Sequence, residues 1–365
     1  MMSRAPVRIA IVGIGNCASA LVQGLGYYRE ADHEPPPGLM HTEIGGWRCG
    51  DIEIVAAFDV DCRKVGHPIS EAIRAEPNCA TAFWDGPVPG GLVPVLKGPV
   101  ADGIAAHMAE FPASRSFRLA EGPEVDPAVV LSQTQADVLV CYLPVGSDQA
   151  TRLYADACLR AGCALVNCAP SFIAADPDWA ERFRQAGIPI IGDDIKSQLG
   201  ATIVHRMLAR LFADRGINLQ HTYQINTGGN TDFLNMLARD RLASKKLSKT
   251  NAVQSQLHEP LEDWRIHIGP SDYVPWQKDN KVCFLRMEGQ GFGGQSIELE
   301  LRLSVQDSPN SAGVVMDAIR CAALARRRGL SGPVDGVCAW LMKSPPRQTS
   351  DYEAKAAMER FIEVG

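Results

Sequence analysis

The sequence predicts an α/β fold in which a Rossmann-like, doubly wound parallel sheet is joined to a second α+β domain with a largely antiparallel sheet. Three observations favour it. Short apolar segments alternate with helical patterns over the first 200 residues. A glycine-rich turn follows the first of these segments, and Ser296–Val305 alternates strictly between apolar and polar residues. We predict that residues 1–200 and 310–365 form the first domain and residues 201–309 the second.

The composition is that of a globular protein and excludes several classes of function. The 365 residues are 46% hydrophobic and 21% charged, with a formal net charge of −6. Such a chain is a poor match for nucleic acid or an anionic membrane surface, and no apolar run approaches the ~18 residues of a membrane span. The 11 cysteines mostly lie in apolar runs without a CxxC pair, so we expect reduced core cysteines in a cytoplasmic protein.

The first predicted strand, Val7–Gly13, ends in a turn typical of dinucleotide-binding domains. Residues 13–18 have the sequence Gly-Ile-Gly-Asn-Cys-Ala and precede a helical pattern. Gly13 permits the tight turn, Gly15 allows a pyrophosphate to approach, and the small Ala18 lets the helix pack on the strand. We therefore predict a bound dinucleotide. Its predicted contacts in this turn are Gly13, Gly15, Asn16 and Cys17.

The second predicted strand, Ile52–Phe58, is followed by Asp59. A carboxylate at this position can accept hydrogen bonds from the ribose hydroxyls of NAD and repel the 2′-phosphate of NADP. The alternatives are an ordinary turn residue at this position and Asp61 as the ribose ligand. Asp59 lies beyond the usual ~20 residues from the glycine turn because of an insertion at residues 27–50, which we predict to be a surface excursion.

Residues 77–127 are rich in proline and glycine and predict loops with one or two short helices. The α/β alternation then resumes, with strands predicted at 138–144, 163–170 and 188–191 and helices at 148–161 and 177–186. Ligands bind beyond the carboxyl ends of parallel strands, which indicates residues 144–148, 167–171 and 192–197. Ala169 is the predicted cofactor contact in the second of these segments.

The segment Gly192–Ser197, with the sequence GDDIKS, lies at one of these strand ends. The adjacent carboxylates of Asp193 and Asp194 need cationic or donor-rich neighbours. Ser197 is in position to cap the next helix, and a plain capping cluster is the alternative to a ligand site. That helix is predicted by apolar side chains at four-residue spacing, namely Leu199, Ile203, Met207 and Leu211.

The stretch Thr227–Thr250 combines anion-binding features with concentrated positive charge. Gly228-Gly229 and the polar residues after it are typical of a loop before a helix N-terminus, where free amides bind anions. The positive charges are Arg239, Arg241, Lys245, Lys246 and Lys249. If the apolar residues Phe233, Leu234, Leu237 and Leu242 mark one helix, the loop and the lysines face one site. A small phosphorylated substrate is the simplest partner, and a solvated basic helix end is the alternative.

The remaining patterns predict the second sheet and the helices that complete the first domain. Leu219–Ile225 predicts a strand, and Lys281–Met287 predicts a hairpin partner for the alternating segment. Helical patterns follow at 311–328, 337–342 and 351–362.

With these features in place, the sequence resembles the myo-inositol-1-phosphate synthases, specifically the shorter prokaryotic type. The matching segments cover most of the chain: VGIGNCAS at the glycine turn, GDDIKSQ at 192–198, NTGGNTDFLNM at 226–236, SKKLSKTNAV at 244–253, YVPWQKDNK at 273–281, VQDSPNSAG at 305–313 and AWLMKSPP at 339–346. The glycine turn is generic, whereas GDD-x-KS followed by the lysine-serine-lysine segment is highly specific. Longer family members differ at the turn and carry additional N-terminal sequence.

The resemblance implies an isomerase that uses NAD without net consumption. It implies that D-glucose 6-phosphate is oxidised at C5, enolised at C6, cyclised by attack of C6 on the C1 aldehyde, and reduced again at C5 to an inositol phosphate. An enolate and two alkoxides require fixed positive charge in a closed pocket. Lysines suit this chemistry because burial and mutual repulsion lower their pKa towards values useful for proton transfer.

By motif match, the resemblance implies four catalytic lysines. Lys245 and Lys249 lie four residues apart, on one helical face. Lys281 and Lys343 complete the set. The hypothesis is that Lys245 or Lys343 handles the C5 hydroxyl proton and the C1 oxygen, while Lys249 and Lys281 hold charge at the phosphate or enolate. Lys246 departs from the pattern of the longer members and is left out.

The resemblance also implies that Asp194 and Asp307 orient the lysines and the substrate hydroxyls. The implied phosphate and substrate contacts are Ser197, Gly229, Asn230, Thr231 and Asp232. Carboxylates at Asp193, Asp194 and Asp307 could hold a monovalent or divalent cation, although no ligand cluster has diagnostic spacing.

Two other functions stay open at this stage. One is an NAD-linked sugar-phosphate dehydrogenase that releases NADH. The other is an inactive NAD-binding regulator, which would tolerate Lys245→Ala and Lys249→Ala, whereas the isomerase predicts a loss of more than ~10²-fold in rate from either. The resemblance further suggests a homotetramer built through the second domain.

Overall fold

The computed structural model describes residues 5–30, 37–257, 259–269 and 272–364, without the side chains of residues 239, 240 and 243–246. The first sheet is parallel throughout, with the order β12-β6-β5-β4-β1-β2-β3. Its strands are β1 (Val7–Val12), β2 (Ile52–Asp59), β3 (Val95–Lys97), β4 (Val138–Cys141), β5 (Ala164–Asn167), β6 (Pro189–Ile191) and β12 (Gly332–Pro333). Because the chain leaves β1 in both directions, the predicted doubly wound sheet is confirmed.

Helices cover both faces of this sheet. They are α1 (Asn16–Glu30), α2 (Ile69–Ala72), α3 (Pro127–Gln133), α4 (Asp148–Ala161), α5 (Pro177–Gln185), α9 (Asp307–Arg327), α10 (Asp335–Leu341) and α11 (Asp351–Glu363). Alternate residues of β1 enter different apolar clusters, Ile9 and Ile11 on one face and Ala10 and Val12 on the other. The apolar run of the strand is therefore explained by a sheet that is buried on both sides.

A second, largely antiparallel sheet has the order β11-β10-β7-β8, with β9 also pairing with β7. Its strands are β7 (Asn218–Gly228), β8 (Ile266–Ile268), β9 (Asp272–Tyr273), β10 (Asn280–Gln290) and β11 (Ser296–Gln306). The helices in the same part of the chain are α6 (Ala201–Asp214), α7 (Thr231–Asn235) and α8 (Ala243–Gln254). The predicted hairpin between β10 and β11 is present and fully antiparallel, whereas β8 and β9 pair with β7 in parallel.

The prediction of a surface excursion at residues 27–50 is wrong for its described part. Helix α1 continues to Glu30, and residues 31–36 lie outside the described part of the chain. Ile44 and Trp47 are buried in the main core. Arg320 of α9 donates to the carbonyl oxygens of Thr42 and Trp47. The insertion covers a buried helix whose polar groups need partners.

Three helix predictions also differ from the structure. Helix α6 begins at Ala201 after Gly200, without a side-chain cap from Ser197. The stretch 227–250 forms two helices, α7 and α8, separated by a 3₁₀ turn at 239–242, because the apolar residues do not keep one helical register. Helix α9 begins at Asp307, four residues before the predicted position.

The apolar series in α6 does not form its buried face. Leu199, which lies just before α6, is exposed, as are Met207 and Leu211 within it, while His205 and Arg206 are fully buried. Four-residue spacing identified the helix but not the face that packs. Among the described residues, no helix is long and apolar enough to cross a membrane.

Candidate active site

The glycine turn forms one wall of a large cavity between the two sheets. Gly13 has a φ of +85°, and a Cβ atom there would lie 2.7 Å from the carbonyl oxygen of Tyr142, so glycine is required. A Cβ atom on Gly15 would meet nothing within 4 Å, which leaves open space beside the turn. Helix α1 begins at Asn16, so its N-terminal amides face this space. The turn therefore fits a pyrophosphate.

Asp59 lies in the cavity wall at the end of β2. Its carboxylate accepts hydrogen bonds from the amides of Ile14 (2.6 Å), Val60 (2.7 Å) and Asp61 (2.9 Å). The alternative candidate, Asp61, is fully buried and is held by Arg63. Burial raises the pKa of Asp61, but its hydrogen bonds, chiefly to Arg63, together outweigh burial, so the pKa is lowered overall. Asp59 is thus the acidic residue that the fold brings to the glycine turn.

Lys64 is a component of the glycine turn that sequence reasoning missed. Its ammonium is fully buried, donates to the carbonyl oxygen of Ile14 (2.7 Å) and to Asn78 (3.0 Å), and lies 4.0 Å from the Asp59 carboxylate. Burial lowers the pKa of Lys64, and the Asp59 charge opposes this. The Ile14 residue is held at its N–H by Asp59 and at its carbonyl by Lys64. No motif marks Lys64 in the sequence.

The two carboxylates of the GDDIKS segment have different environments. Asp193 is fully buried and accepts hydrogen bonds from the Asn167 side chain and from the amides of residues 173–175. Asp194 lies in the cavity wall, 2.7 Å from the ammonium of Lys343 and 2.7 Å from the hydroxyl of Ser248, which donates to it. One carboxylate is therefore satisfied by neutral donors and the other by a cation.

Lys281 and Asp307 form a second pair in the cavity wall, with 3.1 Å between nitrogen and oxygen. Burial lowers the pKa of Lys281, but the charge and hydrogen bond of Asp307 outweigh it, so the pKa is raised overall. Asp307 is the first residue of α9, where a carboxylate is favoured by the helix dipole. This pair connects β10 of the second sheet with α9, which packs on the first sheet.

Asp279 is a further group that sequence reasoning missed, although it lies inside a quoted motif. It accepts hydrogen bonds from Asn230 (3.0 Å) and from the amide (3.1 Å) and hydroxyl (2.8 Å) of Ser308. Burial, together with the nearby Asp307, raises its pKa to about 6. Asp279 thereby fixes the starts of α7 and α9 relative to each other.

The predicted phosphate loop is partly engaged within the protein. The Asn230 side chain caps α7 by accepting from the amides of residues 232 and 233. The amide of Gly229 donates to the carbonyl of Lys278, and a Cβ atom on Gly229 would lie 2.4 Å from another carbonyl. The first turn of α6, preceded by Ser197, also lines the cavity. Its amides provide an anion-binding helix N-terminus.

Most of the predicted residues line this one cavity. They are Gly13, Gly15, Asn16, Cys17, Asp59, Ala169, Asp194, Ser197, Asn230, Thr231, Asp232, Lys249, Lys281, Asp307 and Lys343. Gly229 is not part of the lining. Lys245 belongs to α8, one turn before Lys249, but its side chain lies outside the described part of the structure.

The three carboxylates considered for a cation are not gathered at one point. Asp193 faces backbone amides away from the cavity lining, while Asp194 and Asp307 each pair with a lysine. Within the described residues, no group of three or more histidine, cysteine, aspartate or glutamate side chains is placed to hold a metal ion.

Together, the fold and the cavity define a Rossmann-type α/β enzyme with a lysine-lined substrate cavity beside its glycine turn. A family model described as myo-inositol-1-phosphate synthase matches residues 200–308. The inositol-3-phosphate synthase of Mycolicibacterium smegmatis is 52% identical over 362 residues, 98% of each chain. That of Corynebacterium glutamicum is 52% identical over 367 residues, 99% of each chain.

The chain belongs to the inositol-3-phosphate synthase family. A solved structure, a myo-inositol-1-phosphate synthase-related protein from Thermotoga maritima, is similar over 98% of both chains with a TM-score of 0.79. At 24% identity, this structure supports the fold alone.

Proposed function

We propose that this chain converts D-glucose 6-phosphate to 1D-myo-inositol 3-phosphate with NAD as a cofactor that is regenerated in each cycle. The observation that carries the proposal is the shared cavity, in which Lys249, Lys281 and Lys343 lie in the same lining as Gly15 and Asp59. Oxidation at C5 and carbanion chemistry at C6 of the same sugar need a dinucleotide and fixed cations that are no farther apart than the length of one hexose.

The cofactor is assigned to the glycine turn and the wall next to it. Gly13, Gly15, Asn16 and Cys17 would contact the pyrophosphate, Asp59 the ribose, and Ala169 the nicotinamide half. An apolar surface formed by Val60, Pro99, Val100 and Phe117 continues the cavity and suits an adenine ring. When bound, NAD supplies the acceptor and donor of the C5 hydride.

The substrate phosphate is assigned to the N-terminus of α6. The residues of the first turn, Ser197 and Lys249 all belong to the lining of the cavity, and the first-turn amides suit an anion. Thr231 and Asp232 would contact the sugar from α7. This assignment moves the phosphate away from Gly229 and Asn230, whose hydrogen-bonding groups are engaged within the protein.

Lys343 is the proposed acid and base at the C5 oxygen. Its ammonium is held by the Asp194 carboxylate and by the carbonyl oxygen of Ile195, both at 2.7 Å. An ammonium fixed in this way keeps its position while it exchanges a proton with a hydroxyl group. Asp194 is itself positioned by the hydroxyl of Ser248, one residue before Lys249.

The remaining lysines are assigned to charge that develops on the sugar. The ammonium of Lys281, held by Asp307, would stabilise the enolate oxygen, and Lys249 would stabilise the phosphate. Lys245 would donate to the C1 oxygen as C6 attacks it. That role for Lys245 rests on the family resemblance and on its place one turn before Lys249 in α8.

We further propose a cytoplasmic homotetramer assembled through the second sheet. Ile225 and Phe284 are neighbours in the register of β7 and β10 and are both exposed on the outer face of that sheet. An exposed apolar pair of this kind favours contact with another copy. A bound monovalent or divalent cation also stays a proposal, based on the carboxylate oxygens of Asp194 or Asp307, although each of these carboxylates pairs with a lysine.

Incubation with D-glucose 6-phosphate and a tenth of an equivalent of NAD tests this function. The expected result is a cyclic inositol phosphate formed over many turnovers, with no lasting absorbance at 340 nm. A sugar-phosphate dehydrogenase would instead stop when the NAD is consumed and leave NADH in solution. That outcome would contradict the proposal, as would the absence of any reaction.

A further inference from the structure

Arg241 lies at the junction between the two halves of the molecule, immediately before the helix that carries Lys249. It belongs to the 3₁₀ turn at 239–242, and α8 begins two residues later. Its Nη2 donates to the carbonyl of Asp102 at 2.7 Å, and its Nε and Nη2 both reach the carbonyl of Val145 at 3.3 Å. The guanidinium therefore binds two separate loops of the dinucleotide half.

Both of these loops contribute to the cavity next to the glycine turn. Val145 follows β4, and its side chain is buried against Phe233 and Met236 of the second half. Its carbonyl also accepts a hydrogen bond from Asn235 at 2.8 Å. Gly146 has a φ of +80°, and a Cβ atom there would lie 2.7 Å from Arg241, so the loop packs directly on the arginine.

The loop that contains Asp102 also contacts the start of α4, the helix that follows β4. The Asp102 carboxylate accepts hydrogen bonds from the amides of Gln149 and Ala150 and so holds the first turn of α4. Val100 and Gly103, on either side of it, line the cavity. Through the carbonyl oxygens of Asp102 and Val145, Arg241 therefore connects the loops that line the cavity next to the glycine turn with the start of α8.

We infer that Arg241 is a positioning residue that couples occupancy of the dinucleotide site to the placement of α8. A bound dinucleotide orders the loops at 98–103 and 143–146, which form part of its site. Because the guanidinium spans both carbonyls, ordered loops restrict the turn at 239–242 and hence the helix after it. The inference rests on the proposed function, since it assumes both NAD binding and a catalytic role for the lysines of α8.

Replacement by methionine, Arg241→Met, keeps the apolar stem and removes every donor. Hydrogen exchange of the amides of residues 243–254, with and without saturating NAD, is the primary readout. In the natural protein, we expect NAD to slow this exchange. In Arg241→Met we expect NAD to bind within about threefold of the natural affinity, the slowing at α8 to be lost, and kcat to fall by about 10- to 100-fold.

Arg160→Met is the matched control, since Arg160 is an exposed arginine of α4 that pairs only with surface carboxylates among the described residues. It is expected to retain both the exchange pattern and kcat. Arg241→Lys should restore part of the slowing, because an ammonium can reach one of the two carbonyls but not span both. If Arg241→Met does not fold, Arg241→Lys decides by the same readout.

The coupling is refuted if Arg241→Met retains the NAD-dependent slowing at α8 together with full kcat. It is equally refuted if NAD leaves the exchange of α8 unchanged in the natural protein. A protein that binds NAD and shows the slowing but forms no inositol phosphate would contradict the proposed function, while the exchange result would still support the bridge.

Discussion

At the scale of single residues, two of the positive charges in the cavity are each held by one carboxylate. Lys343 is held by Asp194 and Lys281 by Asp307. Both pairs are partly buried, with exposures of 15% and 5% for Lys343 and Asp194 and 22% for each of Lys281 and Asp307, so removing one member leaves a charge that solvent compensates only in part. Motifs identified these residue types in the sequence. The resemblance implies that Asp194 and Asp307 orient lysines, but which lysine each one holds could not be predicted, since Asp194 and Lys343 lie 149 residues apart and meet only through the fold.

Lys64 provides a residue-scale prediction for the glycine turn. Lys64→Met removes the cation beside Asp59 and one of the two donors to the Ile14 carbonyl, while Asn78 keeps the other. We expect the Kd for NAD to rise about tenfold, which corresponds to ~1.4 kcal/mol. Titration calorimetry with NAD measures this directly. Lys355→Met, at an exposed lysine of α11, is the control. An unchanged Kd would show that Lys64 has no part in holding the turn.

At the scale of elements, helix α9 shows which features could be predicted from the sequence and which could not. Asp317 and Arg320 are fully buried in α9 and pair at 2.5 Å. In a sequence, such residues are typical of the solvated face of a helix, so the apolar pattern predicts the helix but not its complete burial. Besides Asp317, Arg320 has partners in the insertion, namely the backbone carbonyls of residues 41, 42 and 47. Backbone partners leave no trace in a sequence, which is why the sequence alone predicts an insertion on the surface.

The junction of α7 and α9 at Asp279 gives a pH prediction. The pKa of Asp279 is raised from 3.8 to about 6, so between these values the folded protein binds a proton that the unfolded chain does not. Stability from this group is complete below pH 4 and is lost as the pH rises to about 6, by roughly 3 kcal/mol. The Asp279→Asn variant cannot titrate at this position and therefore lacks this pH-dependent contribution to the free energy of unfolding.

Urea unfolding from pH 4 to pH 7 measures the effect as a difference between the natural protein and Asp279→Asn. The expected result is a difference in unfolding free energy that changes across this window and is constant above it. A difference independent of pH would mean that Asp279 ionises in the folded protein as it does in water.

At the scale of the whole molecule, the order of strands and helices was largely predictable because periodicity and glycine turns are local properties. The doubly wound sheet and the hairpin of β10 and β11 follow from such patterns, whereas the family follows from the resemblance of longer motifs such as the one at residues 192–198. The exposure of the apolar residues of α6 and the division of residues 227–250 into two helices could not be predicted, because packing against other elements decides both. The division at residues 1–200, 201–309 and 310–365 stays a prediction.

The central claim is that oxidation, cyclisation and reduction take place in one cavity without release of reduced cofactor. D-glucose 6-phosphate carrying deuterium at C5, incubated with unlabelled catalytic NAD, tests it most directly by mass spectrometry of the product. We predict that the inositol phosphate retains one deuterium and that free cofactor acquires none. Loss of the label from the product, or its appearance in NADH in solution, would contradict the account.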